Sequence, residues 1–216
     1  MKEKREAAFT GCRCQDAAPG PEAINLILGQ TERKRLLLHS CCGPCSTACI
    51  ERLAPLYEIT VFYYNPCITE REEYEKRKAE QIRFITAYKR DQHLAGLDFI
   101  EGDYEPEEYL ARVRGLEGEP EGGARCAVCF TQRLTKAAEM AKKLEIPGFT
   151  TTLTVSPHKN YELITKLGQQ AGERYGVEYL PFDFKKKAGF QRSIQLSHEY
   201  GLYRQNYCGC RFSKRD

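Results

Sequence analysis

A short apolar run, Leu36-Leu37-Leu38-His39-Ser40, passes without a break into the knot Cys41-Cys42-Gly43-Pro44-Cys45. Such a run makes a parallel strand buried on both faces. Gly43 lets the backbone turn tightly and Pro44 suits the first turn of a helix, so the knot joins this strand to a helix read over 46–53. Strand, tight turn and helix form the opening unit of an α/β fold. The turn stands where a nucleotide-binding α/β protein keeps its phosphate loop, and here it carries thiols.

The rest of the chain repeats the alternation. Apolar, β-branched runs predict strands over 58–64, 97–100, 149–153 and 177–182. Helices are predicted over 70–88, 105–114, 126–144, 161–175 and 189–200, with a polar, glycine-rich loop at 115–123. The expected fold is α/β, a parallel sheet with helices on both faces and Cys-rich loops at the carboxyl ends of the strands, where such sheets bind ligands. Glu72–Lys76 and Glu73–Arg77 at i,i+4 predict an exposed face on the helix over 70–88. Gly11, Pro19, Gly20 and Pro21 break any pattern, so residues 1–30 read as a flexible N-terminal extension with a short helix at 22–28. Residues 31–216 read as a single catalytic domain, a size that buries a sizeable core.

The chain has eleven cysteines, eight of them in three knots: Cys41, Cys42, Cys45 and Cys49; Cys126 and Cys129; Cys208 and Cys210. Disulfide scaffolds are mostly small and secreted, and an odd count fits full pairing poorly. The start Met-Lys-Glu-Lys-Arg-Glu has no apolar targeting region, and no run approaches the ~18 apolar residues of a membrane span. The expected compartment is the cytoplasm, with no membrane partner, and there clustered cysteines mean metal or catalysis. Cys12 and Cys14 read as ordinary thiols of the extension.

An adjacent Cys-Cys pair and a distant C-x-x-C supply four thiolates from two loops, enough for an iron–sulfur cluster or a zinc. Both knots open helices, where the helix dipole favours thiolate. An adjacent pair is awkward for one tetrahedral ion but can reach separate irons of a cluster. Cys49, one turn past Cys45, reads as a small core residue. Cys208-Gly209-Cys210 has two readings: a strained, reducible disulfide acting as an electron relay, or a third ligand set for the same metal. His39 reads as a satisfied core histidine, and His93 and His198 as exposed. His158 follows a strand end, within reach of a substrate. Asp103 and Asp183 also follow strands, where a carboxylate ligates metal, donates a proton or caps a helix.

The formal net charge of +3 makes the chain no polycation, but residues 185–216 hold eight basic and two acidic side chains. Phe190, Tyr200, Tyr203, Tyr207 and Phe212 lie among them. Basic residues mixed with rings suit a looped RNA surface, and a solvated helix with a frayed tail is the plainer alternative.

Taken with their surroundings, these knots resemble the QueH-type epoxyqueuosine reductases. The likeness runs from about Leu36 to Ser213. It rests on the block 37–45, on Phe62-Tyr63-Tyr64-Asn65-Pro66, and on Arg125-Cys126 to Cys129-Phe130 with Arg133-Leu134. Phe149 to Leu153 with Ser156-Pro157, and Leu202 to Gln205 with Tyr207 to Cys210, complete it. Cys67 departs from the family, which usually carries asparagine there. The resemblance implies reduction of the epoxide of epoxyqueuosine in tRNA to queuosine, by a [4Fe-4S] enzyme that works without cobalamin. It implies Cys41, Cys42, Cys126 and Cys129 as cluster ligands, and Cys208 with Cys210 as a redox-active disulfide. It also implies a second, mononuclear iron, for whose neighbourhood Cys45 and Asp183 are the candidates. The partners would be a tRNA with a modified anticodon-loop base and an electron donor that the sequence does not identify.

Two rival readings come from other classes. A tRNA-thiolating enzyme would need a Ser-Gly-Gly-x-Asp-Ser loop after the first strand, and Ser40-Cys41-Cys42-Gly43-Pro44 is not one. A zinc-stabilised RNA-binding module would be colourless where an iron–sulfur enzyme is brown.

Overall fold

The computed structural model describes residues 33–214. The extension over 1–30, its helix at 22–28, Cys12 and Cys14 lie outside the described residues. Five strands pair in parallel in the order β3-β2-β1-β4-β5: β1 (Lys34–Ser40), β2 (Tyr57–Tyr63), β3 (Leu97–Glu101), β4 (Gly148–Thr151) and β5 (Glu178–Tyr179). Six helices connect and cover them: α1 (Gly43–Leu53), α2 (Arg71–Asp91), α3 (Pro106–Arg112), α4 (Ala124–Lys143), α5 (Tyr161–Tyr175) and α6 (Gly189–Glu199). The α/β architecture expected from the alternation is the one observed.

β1 is the central strand, and its side chains alternate between two cores. Leu36 and Leu38 join Ile50, Leu53, Phe84 and Phe184 beneath α1 and α2. Leu37 faces the other way, into Phe130, Leu134, Phe149 and Ile164 beneath α4 and α5. Each fully buried leucine contributes roughly 1.5–3 kcal/mol, so register is tightly fixed.

The chain runs from β1 to β2 and β3 on one side, then returns to lay β4 on the other. That reversal makes the β1/β4 boundary the switch point of the sheet, where a crevice opens at the carboxyl ends. The first knot stands in it: the Cys41 N–H donates to Thr152 Oγ1 at 3.4 Å, just past β4.

Three local readings change. α1 starts at Gly43 rather than at residue 46, because Pro44 and Gly43 already take helical geometry. A Cβ on Gly43 would lie 3.1 Å from the backbone of Glu80, so this turn packs directly on α2. β4 ends at Thr151, whose hydroxyl accepts from the Leu153 N–H and turns the chain into a 3₁₀ turn over Thr152–Val155. β5 has two residues only, since Pro181 has no N–H to extend its ladder. Among the described residues, no helix is long and apolar enough to cross a membrane.

Candidate functional site

The first knot is a compact thiol group. The sulfurs of Cys41, Cys42 and Cys45 lie within 4.8 Å of one another, the one set of His, Cys, Asp or Glu side chains among the described residues close enough to hold an ion. Cys41 and Cys42 sulfurs are 3.9 Å apart. Gln205 Nε2 donates to Cys42 Sγ at 2.9 Å, which brings the C-terminal segment against the knot. Below, Ser40 Oγ donates to Gln81 Oε1 at 2.6 Å and Gln81 Nε2 donates to Ser46 Oγ at 2.8 Å. These buried bonds fix the end of β1 and the start of α1 together.

A second group of cysteines lines a pocket at the same edge of the sheet: Cys67, Cys126, Cys129, Cys208 and Cys210. Cys126 Sγ accepts from the Gly122 N–H at 3.2 Å. Arg125 holds the loop before α4, donating to the carbonyls of Leu116, Glu117 and Glu119 at 3.1, 2.9 and 2.5 Å. Cys208 and Cys210 are separate thiols. Ser213 Oγ donates to the Cys210 carbonyl at 2.8 Å, so the Cys208 thiol donates to Ser213 Oγ at 2.9 Å. Tyr109 OH meets Cys210 Sγ at 3.1 Å.

Arg133 joins the groups. It lies on α4 one turn beyond Cys129, is 3% exposed, and its Nη2 touches Cys67 Sγ. Burial opposes its charge, but Cys129, Cys67, Cys41 and Cys208 outweigh that and hold the guanidinium well above its ordinary range. Its Nε has no hydrogen-bond partner among the described residues. Lys159 behaves alike: burial lowers it, Cys41, Cys45 and Cys208 raise it further, and it stays an ammonium.

Each thiol group concentrates its charge on one sulfur. Hydrogen bonds from Cys42 and then Cys45 draw the Cys41 thiol well below its ordinary value, against burial and with help from Lys159 and Arg133. As donor to Cys41, Cys42 is pushed up to about 11. Cys67 is drawn down to about 6, first by its hydrogen bond with Cys129 and then by Arg133 and Arg77, against burial. Cys129 is pushed up, as the donor of that pair and by burial. Neighbouring thiols and buried cations decide these shifts.

The donor set is wholly sulfur, and no carboxylate pairs with Arg133 among the described residues. A buried guanidinium that meets thiols and no carboxylate favours an anionic assembly beside it. Soft thiolates beside fixed positive charge fit an iron–sulfur cluster.

Other expected residues fall elsewhere. Cys49 is fully buried in the core under α1, its thiol on the Cys45 carbonyl at 3.4 Å. His39 is also fully buried. Its Nε2 donates to the Tyr64 carbonyl at 3.0 Å, so Nδ1 accepts from Thr151 Oγ1 at 2.8 Å. Burial, and then Arg133, lower it to about 4, which keeps it neutral. Asp183 does not join the thiols: its Oδ1 accepts from the Lys185 N–H at 3.2 Å, and it lines a separate groove with Arg52, Lys186 and Lys187. Asp103 is exposed, 4.0 Å from Lys136. His158 is exposed on the rim of the cysteine pocket.

Part of the basic, aromatic C-terminal span is paired with acidic side chains from elsewhere in the fold. Arg192 is paired with Glu51 and Glu199, and Lys214 with Glu70. Lys76 covers the Tyr203 ring at 3.4 Å, and Arg125 and Arg211 flank Phe212. Tyr200 packs edge-on to Phe84. These rings anchor the segment, and Lys186 and Lys187 are left as its charged groove.

Four contributors escaped the sequence reading as site residues: Arg133, Lys159, Gln205 and Arg77. Spacing alone signals the first, since Cys126, Cys129 and Arg133 share one helical face at i, i+3 and i+7.

Comparison with known proteins agrees with this geometry. The family model described as "Epoxyqueuosine reductase QueH" matches residues 36–216. A curated protein of that description from Streptococcus pyogenes serotype M1 is 42% identical over 186 residues, covering 86% of this chain and 72% of its own length. One from Haemophilus influenzae is 42% identical over 184 residues, covering 84% and 72%. One from Thermotoga maritima is 35% identical over 184 residues, covering 82% and 89%.

Proposed function

The chain belongs to the QueH family of epoxyqueuosine reductases, and from that premise we propose that it is a cytoplasmic iron–sulfur enzyme converting epoxyqueuosine in tRNA to queuosine. It is an oxidoreductase acting in queuosine biosynthesis. The net reaction removes the epoxide oxygen as water and leaves the alkene, consuming two electrons and two protons. The observation that supports the reading is the buried Arg133, which touches Cys67 and feels the charges of Cys129, Cys41 and Cys208 with no carboxylate beside it.

Cys41, Cys42, Cys126 and Cys129 would hold a [4Fe-4S] cluster, and Cys45, beside Cys41 and Cys42, is the candidate thiol for a second iron. Bound there, these groups would supply single-electron transfer and a Lewis acid for the epoxide oxygen. Arg133 and Lys159 offset the negative charge of the thiolates, and Lys159 holds a proton at Nζ on the pocket wall. Cys208 and Cys210 together hold the two electrons and two protons that one turnover consumes. As dithiol becomes disulfide, epoxide becomes alkene and water, and an external reductant restores the thiols. Asp183 keeps only a supporting part, setting the turn before Lys186 and Lys187, whose charge suits the phosphates of the tRNA.

Anaerobic reconstitution with iron and sulfide, followed by assay on epoxyqueuosine-containing tRNA, tests the reading. A brown protein that yields queuosine is expected. A colourless zinc protein without turnover would overturn it.

A further inference from the structure

The turn that carries Cys208 and Cys210 belongs to no helix or strand. It is held from outside. Arg77, on α2 and only 2% exposed, donates from Nη1 to the Cys208 carbonyl at 3.2 Å and from Nη2 to the Tyr207 carbonyl at 3.3 Å. Its guanidinium lies 4.9 Å from the centre of the Tyr207 ring. Glu73 Oε1 takes the remaining Nε at 2.6 Å, and Glu73 Oε2 accepts from Tyr203 OH at 3.4 Å.

An i,i+4 pair serving only its own helix would sit in water, where it adds a few tenths of a kcal/mol. Burying the guanidinium is costly unless its other donors are used. Here Nη1 and Nη2 each donate to one of the two carbonyls just before Gly209. Gly209 has φ +105°, and a Cβ on it would lie 2.9 Å from Arg77 Nη1 and 2.7 Å from Ile68 Cγ1. The turn is moulded on the arginine.

We infer that Arg77, held by Glu73, is the positioning residue of the Cys208–Cys210 pair, fixing the turn so that the two thiols close readily into a disulfide. The inference rests on reading that pair as the dithiol relay. In the present form the Cys208 thiol meets Ser213 Oγ and the Cys210 thiol meets Tyr109 OH. Closure then asks for side-chain rotation on a backbone that Arg77 already holds.

The test equilibrates the iron-loaded protein anaerobically in mixtures of oxidised and reduced dithiothreitol. The oxidised reagent takes two electrons and two protons from the pair and becomes the dithiol as the protein S–S bond forms. Alkylation and mass spectrometry then measure the fraction of Cys208–Cys210 disulfide. Arg77→Met should lower the equilibrium constant for closure by about tenfold, the worth of a charge-assisted hydrogen bond. Iron content and visible spectrum should stay unchanged. Arg77→Lys keeps the buried charge but not the planar fork, and should recover part of the constant. Should Arg77→Met fail to fold, Arg77→Lys against wild type carries the test.

A wild-type constant in every folded variant overturns the positioning role and leaves the relay standing. No disulfide in the wild type at any ratio overturns the relay and this inference with it. Loss of iron from a folded variant also overturns the inference, by assigning Arg77 to the metal site.

Discussion

The two ends of the cysteine site are held by different means. The Cys41-Cys42-Cys45 knot hangs between a central strand and a helix, fixed by backbone ladders and by the Ser40–Gln81–Ser46 chain of buried bonds. The Cys208–Cys210 turn has no ladder of its own. Arg77, Tyr109, Ser213 and a glycine at φ +105° hold it. Position at the first end follows from regular structure. At the second it follows from a few long-range side-chain contacts, so each contact there carries more of the load.

The largest effect should come at the regular end. Cys42→Ala or Cys129→Ala should leave a folded protein that retains little iron and reduces epoxyqueuosine at background rate, as read by iron analysis and single-turnover assay. A variant with full iron and wild-type turnover would remove that cysteine from the ligand set.

Next is the metal-free stability of the same end. His39 is held neutral, with its pKa lowered to about 4 from 6.5. The unfolded chain therefore binds the extra proton between those values, and stability falls as pH drops through that window. The full shift corresponds to about 3 kcal/mol. Denaturant unfolding at pH 7 and at pH 4 measures it, with His39→Gln expected to flatten the dependence. An equal slope in both proteins would assign the loss to other groups.

Gly209→Ala should strike the irregular end alone. The strained backbone and the clash with Ile68 cost about 1–3 kcal/mol locally. The variant should keep its iron and slow the first turnover as well as the later ones, as iron analysis and a single-turnover assay read. Iron loss would instead make the turn part of the metal site.

The smallest effect belongs to Cys49→Ala. It removes one buried sulfur from the core under α1, worth about 1 kcal/mol of stability, with iron and turnover intact. A drop in iron would extend the knot by one ligand.

The same contrast explains what the sequence made legible. β1, the knot and α1 follow from apolar run, glycine and proline, all local signals, and so does the sheet they open. The Glu73–Arg77 spacing is equally local, yet it suggested a solvent face when Arg77 is in fact buried. Its acceptors are 130 and 131 residues away, where no periodicity can point. Arg133 was hidden for a related reason: its one-turn offset from Cys129 is visible, but Cys67 and Cys41 reach it only through the fold. Charge counted along the chain overstates the basic tail, since Glu51 and Glu70 neutralise part of it from elsewhere.

Arg77 also imposes an order of assembly. Closing a loop of 131 residues to bring the Cys208 carbonyl onto it costs roughly 4 kcal/mol of chain entropy if the intervening chain is still free. Once α2 and the sheet have formed, that chain is already folded and most of the cost has been met. Docking of the dithiol turn then becomes a short, local step. A nascent or partly unfolded molecule thus carries its first cysteine knot well before its second pair arrives. Metal supplied early would meet an open crevice, and thiol oxidants would meet Cys208 and Cys210 on a loose strand.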